Sequence, residues 1–339
     1  MNKQATFLAL LLSIANLYAQ ENKAFTKLFQ ETKPLEIQLS YSNKELRRDT
    51  NDSIFIKVDM KYKEASEWKS LPVKLRARGN FRRSKCYFPP VKMKIKKSDA
   101  KETLFEGNKK LKLVLPCLLE KNMNDNIEQE LLSYRLFEKI SPYHFKTRKV
   151  KVTMIEDKGN KTKEHQLDGF LIEDDKLVAK RFQGNVFERY IHPLAMDAES
   201  SVKNAFFQFM IGNTDFSVAY QHNGKLLYVD KKIIPLPYDF DMAGLVDPSY
   251  ASVNTNLGIN SVRERIYRGF KRDEDILESV REHFLRIKNN LVAEVESTKD
   301  DFDMESEYES TISFLNSFYE VLEDDVAFKK NILDRLRTR

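Results

Sequence analysis

Residues 91–97 read VKMKIKK, and the period of this stretch decides the fold class of the first half of the chain. Val91, Met93 and Ile95 fall on one side and Lys92, Lys94 and Lys96 on the other, the period-two alternation of a half-buried strand. Outward from it the same alternation recurs. EIQLSYS, SIFIKVDMKYK and LPVKLRARG precede it and LKLVL follows. Together these stretches, within residues 35–115, predict five strands of a mainly antiparallel sheet with its basic residues on one face. NIEQELLSYRLFEKI then changes period: Ile127, Leu131, Leu132, Leu136 and Ile140 have helical spacing, and Asn124 or Asp125 can cap the start. RKVKVTMIE and QLDGFLIED read as two more strands, ending near Glu173, Asp174 and Asp175.

Beyond Asp175 the character shifts to helix and loop. SVKNAFFQFMIG is a helix with a strongly apolar face, and KLLYVDKKIIPLPYDF is a hairpin turning near Asp230-Lys231. Amphipathic helices are expected over 272–295, 304–322 and 325–337. The expected fold class is therefore α+β with two lobes. A β-rich N-lobe with one helix spans 20–175, a short crossing segment lies near 173–180, and a helical C-lobe spans 176–339.

A chain of 339 residues, 41% hydrophobic with 23 Phe and 14 Tyr, has ample material for a packed core. Residues 1–19, with Lys3 before an apolar run from Phe7 to Leu17 and a small-residue site at Ala19, read as a secretory signal peptide. No later stretch is long and apolar enough to cross a bilayer, so the expectation is an exported protein (periplasm, cell surface or secreted). In an oxidising compartment Cys86 and Cys117 form a disulfide or remain two buried thiols. The net charge is +6, and basic residues concentrate in 74–113. That run is a solvated strand face or a surface for phosphate or an acidic polymer. No nucleic-acid motif accompanies it, and no nucleic-acid partner is expected.

Two acidic loops carry the candidate chemistry. IGNTDFSVAYQHN, residues 211–223, places Asp215 at the end of an apolar helix, and PLPYDFDMAG, residues 235–244, places Asp239 and Asp241 at the end of a strand. Each aspartate alone also reads as a turn or cap residue. Together they supply what phosphoryl transfer requires: a carboxylate that orients the acceptor hydroxyl and carboxylates for a hard cation such as Mg²⁺ or Mn²⁺. Gln221 or Asn223 would complete the cation's ligands, and His222 reads as structural. On the basic side, the strand KLRARG runs into Gly79-Asn80, whose backbone amides with Arg78 suit phosphate, while Lys94 is expected to pair with Glu130. The sequence holds no Walker loop, no HExxH, no G-x-S-x-G and no paired CxxC. Its five histidines are few for a metal-dependent hydrolase.

RARGNFRR, PVKMKIK, GFLIED, GNTDFS and PYDFDMAG, in this order over roughly residues 70–250, resemble the spore-coat protein H (CotH) kinase-like family of atypical, often secreted, protein kinases. The resemblance implies a two-lobed atypical protein-kinase-like fold and transfer of phosphate from ATP, or another nucleotide, to a Ser/Thr hydroxyl of a protein. It makes Asp215 the catalytic-loop aspartate, Asp239 the metal ligand, Asp241 an auxiliary carboxylate, and Arg78 and Lys94 phosphate-side cations. Glu130 would orient Lys94, and Glu173 would sit next to adenine. Where the family commonly follows its catalytic aspartate with a basic residue and a nearby Asn, Phe216 and Ser217 follow here and the Asn comes at 223. The alternative is a catalytically inactive surface or interaction module.

Overall fold

The computed structural model describes residues 25–338; the segment 1–19, read as a signal peptide, lies outside them. The strands foreseen in the first half all form. They are β1 (Leu35–Tyr41), β2 (Ile56–Glu64), β3 (Glu67–Ala77), β4 (Val91–Ile95), β5 (Lys110–Val114), β6 (Thr147–Asp157) and β7 (Thr162–Ile172). Short helices α1 (Lys27–Gln30), α2 (Asn43–Arg48), α3 (Asn80–Lys85) and α4 (Lys97–Ala100) punctuate them, and α5 (Met123–Ile140) separates β5 from β6.

These strands correct the expected architecture. In place of the β-rich N-lobe of a two-lobed kinase-like fold they make a closed seven-stranded barrel, in the order β1-β2-β3-β4-β5-β7-β6. The closing contact is a parallel ladder of β1 on β6, from Leu35 opposite Val150 to Tyr41 opposite Glu156. Alternation specifies which face of each strand is apolar, but not whether the sheet's two edges meet. Closure leaves no free edge and encloses the apolar face as a filled interior of Ile37, Leu39, Met60, Val73, Leu75, Met93, Leu111 and Met154. The lysines of VKMKIKK point outward, as their alternation requires.

Two barrel strands, β5 and β7, are buried on both faces at their C-terminal ends. Leu113 and Leu171 belong to the barrel interior, while Val114, Phe170 and Ile172, next to them in sequence, belong to a second core. On that wall lies α5, its Leu131, Leu132, Leu136 and Ile140 packed into the second core. Tyr134 bridges the two parts, its ring 5.6 Å from Phe170 and 4.6 Å from Phe240. Polar links fasten the same helix: Lys149 Nζ lies 2.7 Å from Glu128 and 2.9 Å from Asp301, and Gln129 Nε2 donates to Thr311 at 3.0 Å.

The second core is completed by α6 (Asp175–Arg181), α7 (Ala198–Met210), α8 (Glu274–Arg286), α9 (Lys288–Glu296), α10 (Glu305–Glu323) and α11 (Asp325–Asn331). A small sheet in the order β10-β9-β8, from β8 (Asn185–Phe187), β9 (Gly224–Val229) and β10 (Lys232–Pro237), lies beside α7. Asp230 and Lys231 turn the β9–β10 hairpin with φ of 48° and 63°, both positive as the strand twist favours in a two-residue turn. Among the described residues no helix is long and apolar enough to cross a membrane.

Cys86 and Cys117 are joined in a disulfide. It ties the end of α3 to the segment after β5. Replacing both by serine should lower stability by about 3 to 4 kcal/mol, because the unfolded chain regains a loop of 31 residues' separation. Urea unfolding of oxidised wild type beside the double variant measures it; an unchanged midpoint would rule the effect out.

Candidate functional site

A cleft of about 960 Å³ opens between the barrel wall and the loops of the second half. The barrel contributes Arg76, Arg78, Lys92, Lys110 and Lys112; the facing loops contribute Asp215, His222, Asn223, Asp239 and Asp241. Glu173, Asp174 and Asp175 line it where the chain crosses from β7 to α6. Strands β3, β4 and β5 are neighbours in the barrel, so their outward-pointing basic residues form one contiguous surface. The expected basic face and the two aspartate loops therefore meet.

The acidic loops are fastened to each other. After α7 the chain turns at Gly212 (φ 63°), where an added Cβ would meet the Phe314 ring at 2.9 Å. Only glycine suits both the left-handed backbone and the contact. The Gly244 N–H donates to Gly212 O at 3.1 Å and the Leu245 N–H to Ile211 O at 3.0 Å, joining the 211–215 loop to the one that follows β10. Asn213 Oδ1 accepts the Asp215 N–H at 2.9 Å, and its own amide donates to Gln208. Asp215 is thus presented on a braced turn with 46% of its side chain exposed.

Its carboxylate has two neighbours. Asn223 Nδ2 donates to Oδ2 at 2.9 Å and to the Asp215 carbonyl at 2.7 Å, and His222 Nε2 lies 3.0 Å from Oδ1. Asn223 therefore holds Asp215 in place, while Gln221 turns away and donates to Arg189 O at 3.0 Å. His222, read as structural in the sequence, is exposed at the cleft beside the expected catalytic carboxylate.

Asp239 stands at the end of β10 with φ of 67°, a left-handed conformation that a non-glycine residue adopts under strain. Its N–H donates to the Tyr134 hydroxyl at 2.9 Å. Its carboxylate is paired with Arg82, which also contacts Asp241 Oδ2 through Nε at 3.2 Å and Glu130 Oε2 through Nη1 at 3.6 Å. Arg82, 6% exposed, was legible only as one arginine of a basic run. It reaches inward because Gly79, at φ 75°, turns the chain from β3 into α3. The same helix is held from behind by Arg83, bonded to Arg47 O and Thr50 O, and by the disulfide at Cys86.

Burial pushes the carboxyls of Glu130 and Asp241 above the usual range despite Arg82. It acts on Asp239 too, but there Arg82, Arg78 and Lys112 outweigh it and hold the group below the usual range. Glu130 Oε1 is buried with no hydrogen-bond partner, as are Nε and Nη2 of Arg78, whose nearest anion is Asp239 Oδ1 at 3.6 Å.

Lys94 does not reach Glu130. It lies over the Phe55 ring at 4.0 Å, outside the cleft lining, because Glu130 sits under α3 and is taken by Arg82. The lysine facing the cleft between two aromatic rings is Lys112, 4.7 Å from Phe145 and 4.9 Å from Tyr238. Burial, then the charge of Arg78, lowers its ammonium to about 8. In sequence it is one alternating lysine among several; the aromatic neighbours that single it out come from the residue after β10 and the segment before β6. Glu173 lines the cleft but is buried, accepting from Arg181 at 2.5 and 2.7 Å and from the Lys146 N–H at 2.6 Å.

Asp239 and Asp241 offer the oxygen donors that a hard cation prefers. As arranged they do not fit one, since the guanidinium of Arg82 fills the space between them, and among the described residues no three His, Cys, Asp or Glu gather around a common point. Compared with protein-family models and with curated proteins, the chain finds no match.

Proposed function

We propose that the cleft binds the phosphates of a nucleotide and transfers a phosphoryl group to a Ser/Thr hydroxyl of a protein, outside the cytoplasm. The observation that carries this reading is the pairing of walls: Arg78, two of whose donors make no hydrogen bond, and the half-buried Lys112 face Asp215 across one cleft. The resemblance of short motifs to those of the CotH kinase-like family favours the same chemistry, on a barrel scaffold of a different kind.

In this reading Arg78 and Lys112 draw the phosphate chain to the barrel wall and offset its charge, and the backbone at Gly79-Asn80 adds amides. Asp215 Oδ1 or Oδ2 accepts the proton of the acceptor hydroxyl while Asn223 keeps the carboxylate oriented. The acceptor oxygen bonds to the terminal phosphorus as the bond to the bridging oxygen breaks, and the nucleoside diphosphate leaves with that electron pair. Asp239 and Asp241, with the guanidinium of Arg82 between them, do not fit the Mg²⁺ or Mn²⁺ that usually accompanies a nucleotide, and no step here depends on one.

A second reading, a binding module without turnover, is favoured by that same guanidinium, which already neutralises the pair. Calorimetric titration with ATP, followed by transfer of labelled phosphate to a protein acceptor, separates the two. Binding with transfer supports the first; a folded protein that binds no nucleotide, or binds it without transfer, supports the second.

Lys112 adds a pH signature. Its charged form attracts phosphate and exists below about 8 in the free protein, so nucleotide affinity should fall about tenfold between pH 7 and pH 9. Lys112→Arg, charged throughout, should flatten the profile; an equally steep fall in the variant would remove Lys112 from the binding site.

A further inference from the structure

We infer that Arg82 is the resident cation of the carboxylate cluster and sets its cation requirement, so that a divalent metal binds Asp239 and Asp241 only by displacing this guanidinium. The inference deepens the phosphotransfer reading and rests on it for its consequence, namely that the site is closed to metal until Arg82 withdraws.

Arg82 contacts three carboxylates at once, through Nη2 to Asp239, Nε to Asp241 at 3.2 Å and Nη1 to Glu130 at 3.6 Å. With 7% of its side chain exposed, it has little water to replace those contacts. The cluster is not saturated. Glu130 is 2% exposed and its Oε1 has no partner, so a buried oxygen stays available inside the cluster. One guanidinium spans all three carboxylates, so a dication at the same point would have to take over each of these contacts. Two hydroxyls shape the same space, Tyr250 at 3.4 Å from Asp241 Oδ2 and Tyr134 on the Asp239 N–H. Arg78 is the control: its Nη2 is also near Asp239, at 3.6 Å, but it makes no contact with Asp241 or Glu130 within ion-pair distance.

The test uses Mn²⁺ alone, without nucleotide, on the mature protein. Free Mn²⁺ is followed by electron paramagnetic resonance, and thermal unfolding with and without the ion is followed by circular dichroism. Arg82→Ala should bind Mn²⁺ at least about tenfold more tightly than wild type, and the ion should restore much of the melting temperature the substitution removes. Arg82→Gln keeps an amide for the carboxylates and serves if the alanine variant does not fold; it should show the same gain. Arg78→Ala removes an equal charge from beside Asp239 but not from between the carboxylates, so its gain in Mn²⁺ affinity should be clearly smaller than that of either Arg82 variant. Arg82→Gln/Asp239→Asn should lose the gain. Equal affinity in wild type and both Arg82 variants, or an equal gain in Arg78→Ala, would overturn the inference. Because no nucleotide is present, a gain of Mn²⁺ in a protein that never transfers phosphate would sink the phosphotransfer reading alone. Transfer without that gain would sink this inference alone.

Discussion

Asp215→Asn should slow phosphoryl transfer about a thousandfold while nucleotide affinity stays within about threefold. The amide is close in size to the carboxylate, and the Asn213 brace on the Asp215 N–H is untouched, so the turn should survive. What disappears is the proton acceptor at the cleft wall. The phosphate-side groups lie opposite, on the barrel, and do not touch this side chain. Single-turnover transfer and calorimetric binding, measured side by side, separate the two effects. Unchanged turnover would take Asp215 out of the mechanism, and equal losses in both would make it a structural residue. His222, 3.0 Å from Oδ1, is the obvious candidate for any residual rate.

Asp239→Asn should have two consequences, because the residue anchors the buried guanidinium of Arg82 as well as facing the cleft. Removing one partner of a buried ion pair typically costs about 3 kcal/mol or more. Asp241 and Glu130 remain against Arg82, and 16% of the Asp239 side chain is exposed, so the lower end is expected. Urea unfolding reads this directly. Nucleotide affinity should not fall, with or without Mg²⁺, since a carboxylate that repels phosphate has gone and Arg82 occupies the place a metal would take. Equal falls with and without metal would mean that the residue acts through the fold alone. Full stability in the variant would mean that Arg82 does not depend on it.

Much of the local structure is legible because it depends on neighbours in sequence. VKMKIKK, LPVKLRARG and RKVKVTMIE form strands because alternation at period two allows one apolar face and no other regular structure. Ile127 to Ile140 forms a helix because its apolar spacing has no strand solution, and the β9–β10 turn lies at Asp230-Lys231, between two apolar runs. The aspartate loops are legible for a related reason. Carboxylates flanked by Gly, Asn and Pro at the ends of apolar elements are poorly explained by core packing, and Asp215, Asp239 and Asp241 do line one cleft.

The rest depends on pairs distant in sequence. A two-lobed arrangement and a closed barrel use the same strands with the same inward faces. They differ in whether β1 finds β6, more than a hundred residues later, as a parallel neighbour. Lys94 and Lys112 both alternate on basic strands, yet only Lys112 comes to lie beside Phe145 and Tyr238. Arg82 and Arg83 are consecutive, and the roughly 100° between neighbouring helical residues sends the first into a cluster of carboxylates and the second back onto backbone carbonyls. The sequence by itself determined the strands, the helices, the turns and the chemical character of the two facing walls, because period, turn chemistry and charge are local properties. Only the tertiary structure decided that the sheet closes, that the disulfide and Gly79 aim α3 inward, and that the space between Asp239 and Asp241 holds a guanidinium. Each of those is a choice among partners that local physics leaves equally available.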